Sequence, residues 1–335
     1  MPHYKTCAGG VNIRAAKLLG FDISTIVERT ISGISLSLGL EYKLTRRYKE
    51  PITYMVCRED FNSFLAEKAR LAGAELICDK KVKGIEPQPG GFGIVTEEGS
   101  YTTNVVVGAG GINSVVARSL GLGGYKHYGL GLETEVFVSE DRLDSWTDLI
   151  CIDLGGIPGG YGWLFPKGDH LSIGVVGQKR YASKLKPYLE KLLKSYGVAD
   201  VKRSQVKDAP VHVRQRGETI ASERGVLVGD AAGLIDASTG EGIYYAVKSA
   251  QIAAGEIHKF SNGGTPDITG YQRKIDDEIM PEIYIPLPAE AIRTAGYSFA
   301  PPFLQGNRRQ QKDFQGNLQG NQGREELHRC QPGAG

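Results

Sequence analysis

Apolar residues first alternate with small or polar ones between positions 34 and 40. Ile34, Leu36, Leu38 and Leu40 fall on one face, with Ser35, Ser37 and Gly39 on the other. That period of two predicts a half-buried strand. Over 58–72 the period lengthens. Phe61, Phe64, Leu65 and Ala69 share one side of a predicted helix, and Gly73 supplies its stop. A short amphipathic helix is expected before it, ending at Leu19. Two strands flank a Pro/Gly turn at 87–93, and Val105, Val106 and Val107 read as a buried strand of the parallel type. Between about 125 and 213 the period returns to two. Ile150, Ile152 and Leu154 alternate, as do Tyr161, Trp163 and Phe165, and a turn at 166–169 leads to another strand over 170–176. A helix over 183–196 interrupts this run. The chain then offers a second buried strand, Val226–Val228, and a helical pattern through Ala246, Ala250 and Ala254. No internal repeat is visible.

This order predicts an α/β fold: a Rossmann-like domain interrupted by an antiparallel sheet. The domain is expected over 1–30, 52–122 and 215–262, and the sheet over 31–51 and 123–214. A helical region is expected at 263–304. The final stretch, 305–335, holds seven glutamines and six glycines with almost no aliphatic residues, and is expected to be disordered.

The segment from Gly225 to Ile243 carries the clearest chemistry. A short apolar strand ends at Gly229-Asp230, a loop of small residues follows, and Gly240-Glu241-Gly242 opens a helix. Strand, acidic turn, glycine-rich loop and helix start together make a nucleotide cradle. The Asp230 carboxylate can accept a hydrogen bond from a sugar hydroxyl. Gly242 and Ile243 can aim backbone N–H groups, at the positive end of a helix, toward an electron-rich ligand edge.

Composition narrows the picture. Lys and Arg number 40 against 38 Asp and Glu, which gives no electrostatic footprint for nucleic acid. The five cysteines are odd in number and form no Cys-x-x-Cys pair. Neither a disulfide framework nor a zinc site is indicated, and a reducing, cytoplasmic setting is expected. No apolar run reaches the roughly 18 residues of a membrane span, so any membrane contact is expected to be peripheral.

Five segments, in order, carry a family resemblance. They are Tyr4-Lys-Thr-Cys-Ala-Gly-Gly-Val11, Arg58-Glu-Asp-Phe-Asn-Ser-Phe-Leu65, Gly108-Ala-Gly-Gly-Ile-Asn-Ser114, Gly160-Tyr-Gly-Trp-Leu-Phe-Pro-Lys167 with its continuation to Gly174, and the Gly229–Ile243 loop. Together they resemble the geranylgeranyl reductases, FAD enzymes built like the aromatic hydroxylases, and among them the archaeal digeranylgeranylglycerophospholipid reductases. The resemblance covers residues 4 to about 285. It implies a FAD-binding domain and a substrate sheet whose free face roofs the flavin. It places Cys7, Ala8 and Gly10 beside the flavin, brings the Arg58 guanidinium to the cofactor, and sets the Val82 backbone against the adenine. Tyr161, Trp163 and Phe165 would line an apolar tunnel for a prenyl chain, although core packing is the ordinary reading of such a stripe. His170 reads as a structural or surface histidine. Gly110 stands where related flavoproteins carry an aspartate, so one polar anchor is expected to be missing.

The implied reaction is saturation of isoprenoid C=C bonds in a prenylated lipid, with electrons from an external donor such as NADPH, ferredoxin or a deazaflavin. Two other readings stay open: a flavin monooxygenase, and a non-catalytic flavoprotein fragment. The second arises because the chain holds no Gly-x-Gly-x-x-Gly. In the family that βαβ unit precedes the Cys-Ala-Gly-Gly segment, so the FAD-binding domain is expected to be incomplete at its N-terminus.

Overall fold

A computed structural model describes residues 5–124, 129–215 and 217–283. The expected tail at 305–335, and the part of the expected helical region beyond 283, lie outside the described residues. The chain forms two compact units. The first gathers residues up to 27, 56–129 and 210 onward; the second gathers 28–55 and 130–209.

The first unit begins with β1 (Gly10–Asn12) and α1 (Ile13–Leu19). Asn12 caps α1 by accepting the Ala15 N–H at 2.8 Å, and Gly20 ends it in the left-handed conformation, φ 73°. After the excursion into the second unit the chain returns as α2 (Arg58–Leu71). Of the apolar face expected there, only Phe61 is fully buried. Phe64 and Leu65 are half-covered and Ala69 is exposed. A three-stranded meander follows: β6 (Val82–Gln88), β7 (Gly91–Thr96) and β8 (Ser100–Thr103). Then come β9 (Val106–Gly108), α3 (Val115–Leu120), β15 (Gly225–Leu227), α6 (Ile243–Ser261), α7 (Gly270–Glu278) and α8 (Met280–Ile283). Strands β9 and β15 pair in parallel, with Val106 opposite Gly225 and Gly108 opposite Leu227. Val107 departs from the expected buried strand: it is 40% exposed, so only one face of β9 is covered.

The core of this unit lies between β15, α6 and α7, where Val226, Leu227, Tyr245, Ala253, Ile268, Tyr271 and Ile275 are buried. The buried edge of α6 differs from the expected alanine stripe. Tyr245, Ser249, Ala253 and Glu256 face inward, while Ala250 and Ala254 face solvent. Tertiary partners choose the face: the Ser249 hydroxyl receives the Gly229 N–H at 3.0 Å, and buried Glu256 meets Lys259 and Lys274.

The second unit is built on a seven-stranded sheet of β3 (Gly33–Leu38), β4 (Tyr42–Arg47), β10 (Gly129–Val136), β11 (Leu149–Leu154), β12 (Tyr161–Pro166), β13 (Leu171–Gln178) and β14 (Lys207–Val211), while β2 (Arg29–Ile31) and β5 (Thr53–Met55) pair antiparallel in a separate sheet. The order across the main sheet is β14-β10-β13-β12-β11-β3-β4. The expectation was an antiparallel sheet: β3 with β4, β11 with β12 and β12 with β13 pair that way, but β3 and β11 run parallel. The 31–51 hairpin reaches the sheet from a distant part of the chain and need not follow the alternation of the later meander. The expected strand face at Leu40 also ends early. Gly39 and Leu40 both adopt positive φ, 60° and 67°, and turn the chain from β3 into β4.

One side of the sheet is covered by α5 (Ala182–Ser195), and the short α4 (Glu140–Leu143) adds Leu143 to the same core. Leu185, Leu189, Leu192 and Leu193 pack on Leu164, Leu171, Ile173 and Val175. Each fully buried leucine contributes about 1.5–3 kcal/mol. Asp153, fully buried, is the polar centre of this side. It accepts the Leu40 N–H at 2.8 Å and hydrogen bonds from Ser37 and the Tyr188 hydroxyl. Burial first, and then the Asp153 charge, hold Tyr188 above the ordinary phenol range, so it stays a donor. The carboxylate therefore fixes a turn containing a non-glycine residue at positive φ, which is costly alone.

Replacing Tyr188 by Phe leaves one Asp153 oxygen without that donor inside the core. Chemical denaturation is expected to show a loss of about 1–3 kcal/mol, with an unchanged far-ultraviolet circular dichroism spectrum.

Candidate functional site

Most of the residues expected to hold the cofactor lie in the first unit, around the start of α6. The approach to it is a chain of backbone necessities. Gly229 leaves β15 at φ 54°, and a side chain there would meet the Ala246 Cβ at 3.0 Å. Asp230 follows in a tight helical turn. The loop beyond it closes on buried Asp236, whose side chain takes the Ser238 N–H at 2.8 Å and whose carbonyl takes the Gly240 N–H at 2.8 Å. Gly240, at φ 69°, then turns the chain into Glu241 and Gly242. A Cβ on Gly242 would lie 3.3 Å from Asp230 Oδ1, so the carboxylate rests beside the helix start. No side chain caps α6, and its first turn holds no acidic residue. The N–H groups of Gly242 and Ile243 sit where an uncapped helix presents its positive end.

The Cys7–Gly10 segment lies within the same unit. Gly9, at φ 69°, accepts the Val56 N–H at 3.0 Å through its carbonyl, and its own N–H meets Cys7 Sγ at 3.4 Å. Val56 is two residues before Arg58, so this bond ties Cys7, Ala8 and Gly10 to the start of α2. On the other flank β1 and α1 pack against α6. Arg58 is half-buried. Its Nη2 donates to Asn62 Oδ1 at 3.3 Å, but its Nε is buried with no hydrogen-bond partner. A buried guanidinium N–H without an acceptor costs free energy unless a ligand supplies one.

The fold thus brings Cys7, Ala8, Gly10, Arg58, Asp230, Gly242 and Ile243 into one unit. Val82 lies in the same unit, where it opens β6 opposite Thr96 and packs, half-buried, with Ile85, Phe92 and Val106. Gly110 does not need to be glycine for space: a Cβ there would meet the Ser114 backbone at 3.4 Å, an ordinary contact. The turn at 111–113 packs against the Asp230 turn without an acidic side chain.

Sequence reasoning missed three participants. Lys5 Nζ lies 2.9 Å from Asp230 Oδ2. Asn12 and Arg14 both bond Glu241, Arg14 at 3.0 Å. Arg14 also reaches Tyr245 Oη at 3.1 Å, lies over the Tyr244 ring at 3.7 Å, and pairs with Glu282 at 2.7 Å. Asn12 before an apolar helical run was a legible cap signal. Nothing local marked Lys5 or Arg14, because their partners are more than 200 positions away. Burial, opposed in part by Arg14, raises the Glu241 carboxyl above its ordinary pKa of 4.5.

In the second unit, strand alternation puts Tyr161, Trp163 and Phe165 on the face opposite α5. The register extends Trp163 into a row across the sheet: Leu44, Leu36, Ile152, Trp163 and Gly174. Exposure falls along it from 49% at Leu44 to 8% at Trp163. Four strand spacings make the row about 19 Å long. His170 is buried against Phe137 and contacts Asp169 at 2.7 Å, a structural placement. No group of residues suited to a metal ion occurs among the described residues, no disulfide joins their cysteines, and none of their helices is long and apolar enough to cross a membrane.

Chemically, the first unit offers unsatisfied donors, an acceptor carboxylate and glycine-lined backbone. These suit a large, electron-rich ligand bearing anionic groups and sugar hydroxyls. The second offers an apolar face.

Arg14→Met should test what holds the α6 start. Methionine keeps cover over Tyr244 but leaves Glu241 without its cation. Discounted for the exposure of Arg14, the loss is expected to be about 1–2 kcal/mol near neutrality. Glu241 already has a raised pKa in the folded state, so its ionisation opposes folding. The deficit is therefore expected to shrink as pH falls toward 4.5, where unfolded glutamate also protonates. Urea titrations of both proteins across that range check this.

A family model described as the geranylgeranyl reductase catalytic domain matches residues 137–211, which lie on the sheet and α5. An uncharacterized protein of Methanosarcina barkeri is 31% identical over 83% of this chain and 71% of its own length. The chloroplastic geranylgeranyl diphosphate reductase of Arabidopsis thaliana is 26% identical over 84% of this chain and 65% of its own. A digeranylgeranylglycerophospholipid reductase of Methanocaldococcus jannaschii is 29% identical over 66% and 60%. The chain thus spans about two thirds of these relatives. Among solved structures, a geranylgeranyl bacteriochlorophyll reductase-like protein of Thermoplasma acidophilum shares the fold, with a TM-score of 0.71 at 21% identity over 83% of this chain and 75% of that one. The catalytic-domain match together with the reductase relatives shows that the chain belongs to the geranylgeranyl reductase family.

Proposed function

We propose that this chain is a FAD-dependent reductase that saturates C=C bonds in geranylgeranyl chains of a prenylated lipid, with archaeal ether phospholipids as the substrate class. What supports this most is the buried Arg58 Nε without an acceptor, in the same unit as Asp230 and the uncapped start of α6. The match to the reductase catalytic domain over 137–211 adds the apolar row of the second unit.

The chemistry such a cofactor supplies when bound is hydride transfer. In this reading Arg58 donates to its pyrophosphate or ribityl oxygens, where a fixed, always-charged fork suits the task. Asp230 accepts from a sugar hydroxyl, and Lys5 neutralises the carboxylate when no ligand is there. Gly242 and Ile243 donate N–H groups. Cys7, Ala8 and Gly10 let backbone lie close to an aromatic ring, and the Val82 backbone meets the adenine. Tyr161, Trp163 and Phe165 hold the prenyl chain and exclude water. Affinity for that chain comes from buried CH₂ groups at about 0.8 kcal/mol each. An external electron donor (NADPH, ferredoxin or a deazaflavin) completes the turnover, and contact with the membrane surface is peripheral. The monooxygenase alternative loses ground, because the matched catalytic-domain segment carries the Tyr-x-Trp-x-Phe-Pro pattern.

The test starts with the visible absorption of the purified chain after FAD is added and the excess removed. Retained flavin bands near one per chain are expected. Arg58→Ala should weaken FAD binding about tenfold to a hundredfold, the effect of a charged hydrogen bond, while leaving the circular dichroism unchanged. Anaerobic reduction followed by addition of a digeranylgeranyl lipid should yield saturated product. A colourless chain sinks the FAD assignment for this polypeptide. Oxygen consumption with a hydroxylated product would restore the monooxygenase reading.

A further inference from the structure

The apolar face of the second unit carries a polar chain that the proposed reaction does not use. Trp163 Nε1–H donates to Ser172 Oγ at 3.2 Å, and the Ser172 hydroxyl donates to Glu133 Oε1 at 2.6 Å. All three are buried, with Glu133 2% and Ser172 1% exposed. The direction is forced. An indole N–H can only donate, so Ser172 must accept from it, and its one proton is free to go to the carboxylate. A buried carboxylate is costly unless it is paired and hydrogen-bonded, so its place here calls for a role.

Gly174 completes the arrangement. It stands opposite Trp163 in the register, and a Cβ on it would lie 2.1 Å from Trp163 Cζ2 and 2.5 Å from Cη2. The six-membered edge of the indole therefore occupies the space that any other residue at 174 would need. Tyr161 packs against the ring in a tilted arrangement, centroids 6.1 Å apart. An indole can normally flip about its second side-chain torsion. Here the N–H is bonded and the neighbouring Cζ2 and Cη2 atoms rest on bare backbone.

We propose that Glu133 and Ser172 are positioning residues: they hold the Trp163 indole over Gly174 and so shape the buried end of the prenyl-binding row. This rests on the reading of that face as the prenyl site. Removing the bond frees the ring without removing apolar area. Prenyl binding should then weaken because the wall moves, not because contacts are lost.

The experiment uses the full chain with FAD added, in a Trp146→Phe background, so that Trp163 is its single tryptophan. Emission maximum, acrylamide quenching and unfolding midpoint are measured, and geranylgeranyl diphosphate is titrated by the fluorescence change. Ser172→Ala is expected to increase quenching and weaken ligand binding about threefold to tenfold, the scale of one hydrogen bond. Glu133→Gln keeps an acceptor oxygen and should stay near the parent, whereas Glu133→Ala should resemble Ser172→Ala. Gly174→Ala should displace the ring and weaken binding at least as much. Unchanged quenching and affinity in Ser172→Ala, or a lowered unfolding midpoint alone, overturns the positioning role. Trp163→Phe separates the two readings by intrinsic flavin fluorescence or equilibrium dialysis of labelled ligand. Weaker binding there with a silent Ser172→Ala sinks only the clamp, whereas unchanged binding in Trp163→Phe sinks the prenyl face itself.

Discussion

The first unit depends on how a nineteen-residue helix begins. Helix α6 starts with glycine at its cap position, no capping side chain and no acid in its first turn. Such a start leaves N–H groups exposed to whatever lies beyond. The fold does not fill the vacancy with Glu241, the nearest acid. It draws that carboxylate sideways onto Asn12 and Arg14, and thereby ties α1 to α6. Asp230 is held beside Gly242 by the Gly229 turn, whose N–H is received by Ser249 from within α6 itself. The helix therefore fixes the acidic turn, and the acidic turn flanks the helix start. Replacing Gly229 or Gly242 with a larger residue would disturb both at once.

The second unit handles buried charge differently on its two faces. On the α5 side Asp153 stabilises a hairpin turn whose second residue, Leu40, adopts a conformation usually left to glycine. The carboxylate replaces conformational ease with hydrogen bonds. On the other side Glu133 supports a side-chain chain ending on an indole ring. Both carboxylates are costly to bury. Each is kept where packing alone would leave a group free to move.

Legibility in the sequence followed the range of the interactions. Local signals translated directly: the β6–β7 turn, the helix over 182–195, the strand-alternation of Tyr161, Trp163 and Phe165, and the Gly229–Gly242 turn chemistry are set by residues a few positions apart. What escaped was set at a distance. The buried edge of α6 is chosen by α1, α7 and the β15 turn, so Tyr245 and Ser249 are inside while Ala250 is out. The parallel pairing of β3 with β11 joins residues more than 100 positions apart. Lys5, Arg14 and Glu133 had no sequence mark, since a charged residue acquires its role from the partner that the fold brings to it. The small residues of the Cys7–Gly10 segment were singled out by resemblance, and the fold ties them to Arg58 through a single backbone bond.

A saturated and an unsaturated prenyl chain differ little in shape and not at all in charge. A hydrophobic site gains roughly the same free energy from either, and one methylene more or less changes binding by only about 1–3 kcal/mol. An enzyme acting on such chains cannot rely on affinity to present the correct bond. It needs a wall that does not yield, because a yielding apolar surface accommodates many registers with similar free energy. Aliphatic side chains make poor walls for this purpose, as they change rotamer at little cost. An aromatic ring fixed by a directional bond at its N–H, with the adjoining ring atoms seated on backbone, resists displacement. That is the arrangement of Trp163 between Ser172 and Gly174. On the proposed reading, burying Glu133 gives rigidity to a wall facing a hydrocarbon chain that itself offers nothing polar to grip.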